Sequence, residues 1–292
     1  MKIVSTFSII ARDPVTSEIG IAVQSKFLAV GSNVIWAKAN VGAIATQAYA
    51  NFDIGELGMK FLEKGYSAAK TRDAMIAIDD GIEDRQFGIV DSQGGSISFT
   101  GERCYDYAGG IAEENLACQG NILVSKKTID ELCNTFKNTK GTLAERLVIA
   151  LDAGQNAGGD KRGKQSAALL VVKEKGSYGG YNDRYIDLRV DDDVEPIKKL
   201  SHLLKLHKMY FEKTKEEDKL IVDEKLAKDI QLALKELGYY KYDINGKYDE
   251  KTRAAFTYFC GWENFEERTH AGNIVDRYVR YVIEYLLNKK KQ

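Results

Sequence analysis

Pairs of strands and pairs of helices alternate along residues 3–190, and this order constrains the fold more than any single motif. Short apolar runs bounded by turn residues predict strands at 3–12, 18–26, 33–38, 41–48, 86–91, 95–100, 117–124, 165–173 and 184–190. Between them, helical patterns occupy 53–64, 68–79, 126–138 and 142–155. Paired helices segregated from a largely antiparallel sheet favour an α+β fold. We therefore predict a four-layer αββα sandwich.

A second, small helical unit follows this sandwich. A helix predicted at 194–213 leads into the charge run Lys213–Lys219, whose low apolar content is typical of a domain boundary. Further helices are predicted at 223–237, 250–259 and 271–288. The expected organisation is an αββα domain at 1–212, a charged linker at 213–221 and a three-helix domain at 222–292.

The charge balance argues against two classes of partner. With 42 Lys and Arg against 43 Asp and Glu, the net charge of −1 provides no field to attract nucleic acid or an anionic membrane. No apolar run approaches the roughly 18 residues of a transmembrane helix. The start of the chain is typical of a strand rather than a signal peptide. We expect a cytoplasmic protein whose four cysteines, which form no CxxC pair, are reduced thiols.

The positions of the histidines limit the chemistry that residues 1–201 can perform. His202, His207 and His270 all lie beyond residue 201. A Ser-His-Asp or Cys-His mechanism and a His-ligated zinc site are therefore excluded there. The remaining bases are a lysine or a free α-amine, whose pKa of about 8 suits a general base. No phosphate loop, dinucleotide fingerprint or metal cluster occurs, so no cofactor and no metal is expected.

A polar loop carries the densest set of candidate site residues. Residues 158–164 contain one Asp, two Lys and one Arg, and they run into the apolar strand Ala167–Val172. Polar groups fixed at the end of a rigid strand are commonly placed for binding or chemistry. The alternative interpretation is a charged surface turn in which Asp160 and Arg162 form a plain ion pair.

Six blocks of sequence resemble the DUF1028 family. They are Thr6–Pro14, Ala22–Gly31, Gly42–Ala48, Gln119–Asn121, Gly158–Val172 and Asp187–Asp191, in that order over about residues 5–205. The resemblance implies an N-terminal-nucleophile (Ntn) hydrolase fold, which is the αββα sandwich of proteasome subunits and amidohydrolases. It also implies a homodimer or a higher homo-oligomer. Our first hypothesis for its activity is hydrolysis of a small-molecule amide or ureide.

The same resemblance implies roles for individual residues. Thr6 stands where the Ntn nucleophile belongs, and the catalytic set is Thr6, Ser25, Lys26, Asp160 and Ser166. Ser25 and Lys26 would tune the amine, while Asp160 and Ser166 would approach from the polar loop. Backbone N–H groups at Thr46 and Gln47 would form the oxyanion hole. The substrate-binding set is Thr46, Gln47, Asn51, Gln119, Asn121, Arg162 and Gln165.

Five residues precede Thr6, which separates this chain from an enzyme with a free N-terminal threonine. Either the chain is cut between Ser5 and Thr6, or Thr6 is an inert β-branched strand residue. Two alternatives to Ntn catalysis stay open at this point. One is a non-catalytic scaffold fused to a glycan- or protein-binding module. The other is hydrolysis by a water molecule held by Asp160 with Lys26.

The C-terminal segments 230–240 and 244–256 resemble a peptidoglycan-binding domain. The residues that carry this resemblance have structural roles: Gly238 is a helix C-cap, Asn245 and Gly246 form a turn, and Asp249 caps the next helix. A chain without an export signal is not expected to meet peptidoglycan. The tyrosines at 239, 240, 242 and 248 are interpreted either as an aromatic surface for a partner or as partly buried core.

Overall fold

A computed structural model of the chain describes residues 6–290, without the side chains of residues 280, 285, 289 and 290. The part of the predicted first strand that precedes Thr6 lies outside the described residues. The chain divides between Leu204 and Lys205 into two compact units. Each unit has its own hydrophobic core.

The strands of the first unit form two antiparallel sheets. In chain order they are β1 (Thr6–Arg12), β2 (Ile19–Ser25), β3 (Ile35–Lys38), β4 (Gly42–Ala48), β5 (Arg85–Asp91), β6 (Ser96–Thr100), β7 (Gly109–Glu113), β8 (Leu116–Asn121), β9 (Ser166–Val172) and β10 (Arg184–Val190). The larger sheet has the order β10-β9-β2-β1-β8-β7, and the smaller has the order β3-β4-β5-β6. The N-terminal strand β1 is therefore an interior strand of the larger sheet.

Two helix pairs cover the outer faces of these sheets. They are α1 (Phe52–Glu63) and α2 (Ala68–Ile78), then α3 (Lys127–Asn138) and α4 (Leu143–Asn156). Side chains cap three of the four helix starts: Asn51 Oδ1 accepts from the backbone N–H of Asp53, and Ser67 Oγ accepts from that of Lys70. Thr142 and Glu145 form a reciprocal capping box at α4.

The alternation of side chains along β1 explains the four layers. Phe7 and Ile9 pack in a core with Leu132 of α3 and Leu147 of α4. Ile10, which points to the opposite face, packs in a separate core between the sheets. A third core joins the smaller sheet to α1 and α2. The predicted αββα sandwich is confirmed.

Strand β7 is not among the strands predicted from the sequence. It begins at Gly109-Gly110 and continues through Ile111, Ala112 and Glu113, mostly half-buried or exposed at the edge of the larger sheet. Glycine is depleted in strands, and the segment lacks the apolar alternation that identifies a strand in the sequence. Only the pairing with β8 makes it a strand.

The second unit begins within the helix that follows β10, and it contains two short strands besides the three predicted helices. Helix α5 (Pro196–Phe211) precedes the short strand β11 (Lys219–Ile221), and α6 (Glu224–Leu237), α7 (Glu250–Trp262), β12 (Ile274–Asp276) and α8 (Val279–Lys290) follow. Strands β11 and β12 pair with each other. The segment expected to be a linker at 213–221 thus includes a paired strand. Met209 near the end of α5 packs in the core of the second unit. The division between the two units therefore lies before residue 212.

No helix among the described residues combines the length and the apolar character needed to cross a bilayer.

Candidate functional site

A row of polar side chains crosses the end of the larger sheet. The register places Thr6 of β1 opposite Ser25 of β2 on one side and Asn121 of β8 on the other. Ser166 of β9 lies opposite Ser25 and extends the row. Residues that are directly opposite in paired strands point to the same face of a sheet. The Thr6 hydroxyl donates to Ser25 Oγ at 3.2 Å.

Three glutamines extend this row into the space between the two sheets. Gln47 Nε2 donates to the carbonyl oxygen of Thr6 at 3.2 Å and to Gln86 Oε1 at 2.8 Å. Gln86 Oε1 also accepts from Asn121 Nδ2 at 3.0 Å. Gln119 Nε2 donates to Ser8 Oγ, which in turn donates to Gln47 Oε1, both at 2.7 Å. We call these side chains the inter-sheet polar network: Thr6, Ser8, Ser25, Gln47, Gln86, Gln119 and Asn121.

Every member of the network is buried and uncharged. Each is at most 1% exposed. Buried hydroxyls and amides cost free energy unless they are paired, so a network of this density is stable only with its partners correctly placed. Gln119 Oε1 has no hydrogen-bond partner, and it lies where a side chain at Gly88 would otherwise be. None of the seven side chains titrates near neutral pH, so the network itself contains no general base.

Asp160 is a structural clamp in this arrangement. Its Oδ1 accepts from the backbone N–H and from Nε of Arg162 at 2.8 and 3.3 Å. Its Oδ2 accepts from the backbone N–H of Lys26 and from Arg162 Nη2 at 3.0 and 3.1 Å. The carboxylate therefore ties the polar loop to the end of β2, and no oxygen remains free to hold a water as a base. The ion pair with Arg162 matches the structural alternative for this loop.

Replacing Asp160 by Asn is therefore expected to lower the free energy of unfolding by about 2 kcal/mol, since hydrogen bonds to a charged group are worth roughly 1.5–3 kcal/mol. Urea denaturation of the full chain measures this. The matched control is Asp187→Asn, whose ion pairs with Arg184 and Arg189 are partly exposed; its expected cost is below about 1 kcal/mol. Equal costs for both substitutions would contradict the clamp.

Two further members of the predicted catalytic set lie outside the network. The Lys26 side chain is exposed, and its Nζ donates to the carbonyl oxygen of Lys164 at 3.3 Å. Ser166 Oγ donates to the carbonyl oxygen of Phe27 and accepts from the backbone N–H of Val30. The Ser166 hydroxyl thus fixes the turn after β2. Of the five predicted catalytic residues, the structure brings together Thr6 and Ser25.

Three predicted substrate-binding residues also have other roles. The backbone N–H of Thr46 donates to the carbonyl oxygen of Val34 at 2.9 Å, so it is not available for an oxyanion hole. Asn51 caps α1 and donates to Asp79 at 3.2 Å. Gln165 Nε2 donates to Asp192 at 3.0 Å. Each of these groups is already engaged in a structural hydrogen bond, and its role in substrate binding stays a prediction.

Sequence reasoning missed Ser8 and Gln86 as members of the network. Ser8 lies between the apolar residues Phe7 and Ile9, and Gln86 lies between Arg85 and the apolar run that begins at Phe87. An uncharged polar residue inside an apolar strand was the available signal. That signal does not say which polar residues from different strands meet, because the two sheets are joined only in the tertiary structure.

The cysteines and metal-ligating residues provide no alternative centre among the described residues. All four cysteines are free thiols. Burial raises the pKa of Cys104 to about 11 and that of Cys118 well above its usual range, so both are protonated near neutral pH. A hydrogen bond from Cys118 lowers the pKa of Cys133, which is only 1% exposed. In this part of the chain no group of three or more His, Cys, Asp or Glu could hold a metal.

Comparisons with known proteins agree with this division of the chain. The model of the family described as "Family of unknown function (DUF1028)" matches residues 6–200. The model described as "Putative peptidoglycan binding domain" matches residues 210–283. No curated protein matches the chain.

A solved structure resembles the greater part of this chain. The crystal structure of a DUF1028 protein from Silicibacter pomeroyi superposes with a TM-score of 0.64 and 29% identity, covering 70% of this chain and 89% of that chain. The likeness to Anbu (ancestral beta-subunit) from Yersinia bercovieri is weak, with a TM-score of 0.32 and 9% identity over 68% of this chain and 96% of that one; no inference follows from it. Because the family model spans more than half of the sequence, this chain belongs to the DUF1028 family.

Proposed function

We propose that the first unit is an Ntn-type amidohydrolase that acts on a small amide or ureide with Thr6 as its nucleophile. The observation that carries the proposal is the place of Thr6. It is the first residue of β1, at the end of the sheet, with Ser25 and Asn121 directly opposite in the neighbouring strands. A nucleophile there is held by backbone pairing on both sides and by polar side chains in the same row.

The proposed reaction requires the bond between Ser5 and Thr6 to break first. The Thr6 hydroxyl oxygen attacks the Ser5 carbonyl carbon, the C–N bond breaks, and the nitrogen takes the proton, which leaves an ester. Water hydrolyses the ester, releases residues 1–5, and leaves Thr6 with a free α-amine. That amine then accepts the hydroxyl proton when Thr6 attacks an amide substrate, because its pKa of about 8 suits a general base.

The chemistry of the network supports the α-amine of Thr6 as the general base. Thr6 forms hydrogen bonds with the Ser25 hydroxyl and the Gln47 amide, and neither of these groups is a base near neutral pH. The Thr6 amine is the group that cleavage would place on the nucleophile itself. Gln47 would hold the Thr6 carbonyl, and Asn121 would present its amide beside the reacting group. Amide side chains can both donate to and accept from an amide substrate.

The intact mass of the purified protein tests the first step. We expect a chain that is lighter than the full sequence by residues 1–5, with threonine as the first residue in N-terminal sequencing. A chain that keeps all five residues, and that hydrolyses no amide or ureide substrate, would favour the non-catalytic scaffold. An intact N-terminus together with measurable amidase activity would show that hydrolysis uses another group.

A further inference from the structure

A cleft on the second unit combines aromatic walls with positive charge. It encloses about 450 Å³ beside the N-terminal half of α7, and we call it the tyrosine–lysine cleft. Tyr239, Tyr242 and Tyr258 form its walls, and Lys241 and Lys251 stand among them. The lining residues Gly238, Ala254 and Ala255 are small, which leaves room between the rings for a side chain of a ligand.

Three lysines converge on one of these tyrosines. Lys251 Nζ lies 4.7 Å from the centroid of the Tyr242 ring, and Lys241 Nζ lies 5.7 Å from it. Lys235 Nζ donates to the carbonyl oxygen of Tyr242 at 3.3 Å. Mutual repulsion makes such a group unfavourable unless the charge is solvated or meets an anion.

None of the three lysines forms a direct ion pair with a carboxylate within the part of the chain that the structure describes. Other lysines of the second unit do: Lys228 pairs with Glu224 at 2.6 Å one turn away on α6, and Lys219 pairs with Glu216 at 2.6 Å. The three lysines at the cleft are therefore not held in direct ion pairs, although two carboxylates lie near them: Glu250 lines the cleft, and Asp249 interacts with Lys251 at longer range.

The aromatic rings at the cleft remain accessible. Tyr242 is 40% exposed and Tyr258 is 61% exposed. Tyr258 stacks on Trp262, which is itself 69% exposed, with centroids 6.2 Å apart. Exposed aromatic rings beside cations are typical of recognition surfaces, because they offer apolar contact at a low cost in conformational entropy.

Glu250 distinguishes between classes of anionic ligand. It also lines the cleft, and it makes no ion pair with any described residue. A uniform polyanion such as single-stranded nucleic acid would bring a phosphate against this carboxylate. A peptide with clustered carboxylates can meet the lysines and place an amide N–H or an ammonium at Glu250.

We propose that the tyrosine–lysine cleft binds an acidic peptide segment of a partner protein. Carboxylates of the peptide contact Lys241, Lys251 and Lys235, and an aromatic or aliphatic side chain packs between Tyr242 and Tyr258. This inference is independent of the chemistry proposed at Thr6, since it concerns only residues 235–262 of the second unit.

Fluorescence anisotropy of the full chain with a dye-labelled peptide, acetyl-Glu-Glu-Tyr-Glu-Glu-amide, tests this proposal in low-salt buffer. The same peptide with glutamine in place of glutamate is the neutral probe. The variant Lys241→Gln/Lys251→Gln removes two cations from the cleft. Its matched control is Lys213→Gln/Lys225→Gln, which removes two exposed lysines of the same unit that do not line the cleft.

We expect saturable binding of the acidic peptide, at least tenfold weaker binding of the glutamine peptide, and at least tenfold weaker binding by Lys241→Gln/Lys251→Gln. The control variant should bind within twofold of the wild type. Absence of saturable binding, equal binding of both peptides, or an equal loss in both variants would overturn the proposal. Tighter binding of a thymidine oligonucleotide or of a neutral amino-sugar oligosaccharide at the same cleft would overturn it as well.

Discussion

The variant Thr6→Ala is expected to retain its first five residues and to lose amide hydrolysis by about 10³-fold or more. Alanine has no oxygen to attack the Ser5 carbonyl, so the acyl shift cannot begin and no α-amine is released. The side chain fills less space, but the strand keeps its pairing with β2 and β8 through the backbone. Intact mass and a turnover assay on a panel of small amides and ureides measure the two effects separately.

Two further variants make this result specific. Thr6→Ser keeps the hydroxyl, so we expect it to be cut and to retain activity. Thr16→Ala changes a threonine in the exposed turn between β1 and β2, and it should behave as the wild type. The assignment of Thr6 fails if Thr6→Ala still loses residues 1–5, or if the uncut variant turns over substrate at the wild-type rate.

The variant Asp276→Ala is expected to lower the free energy of unfolding of the second unit by about 3–5 kcal/mol. Asp276 is fully buried and pairs at 2.7 Å with Arg268, which is 1% exposed. The same carboxylate accepts from the Thr214 hydroxyl and from the backbone N–H of Tyr278. Without it the guanidinium is left as an uncompensated charge in the core.

A double variant separates the value of the pair from the penalty of breaking it. Arg268→Met/Asp276→Leu leaves no stranded charge, so we expect it to be more stable than Asp276→Ala, because apolar replacements of a buried ion pair are often tolerated. Trp36 and Trp262 are the two tryptophans. Urea unfolding followed by Trp262 fluorescence in a Trp36→Phe background reports the second unit. A cost below about 1 kcal/mol for Asp276→Ala would contradict this account.

The polar network shows where prediction from the sequence stops. Gln47, Gln119 and Asn121 were predicted near Thr6 by family resemblance, and the structure brings all three into the network with it. Gln86 joins two of them by accepting from both Gln47 and Asn121. Its neighbours in the sequence indicate a polar residue in a strand, but they do not identify its hydrogen-bond partners. Its role depends on the smaller sheet facing the larger one at one particular register.

The polar loop shows the opposite outcome. Its density of charge predicted a site of binding or chemistry, whereas the hydrogen bonds that Asp160 forms in the structure are structural. The Asp160 carboxylate is occupied by four N–H groups from Lys26 and Arg162. Composition identifies a charged group, whereas the number of donors around it decides whether that group can act on a ligand.

The sequence by itself determined the layers and the helix starts, because apolar periodicity and capping residues act over a few positions along the chain. It also determined that residues 1–201 contain no histidine to use as a base. The tertiary structure decided which polar side chains surround Thr6, which charged groups are already paired, and that residues 219–221 form a strand with 274–276. Those outcomes depend on contacts between residues far apart in the sequence. The contacts form only when the sheets pack, because a buried polar group must then form its hydrogen bonds with the protein groups beside it.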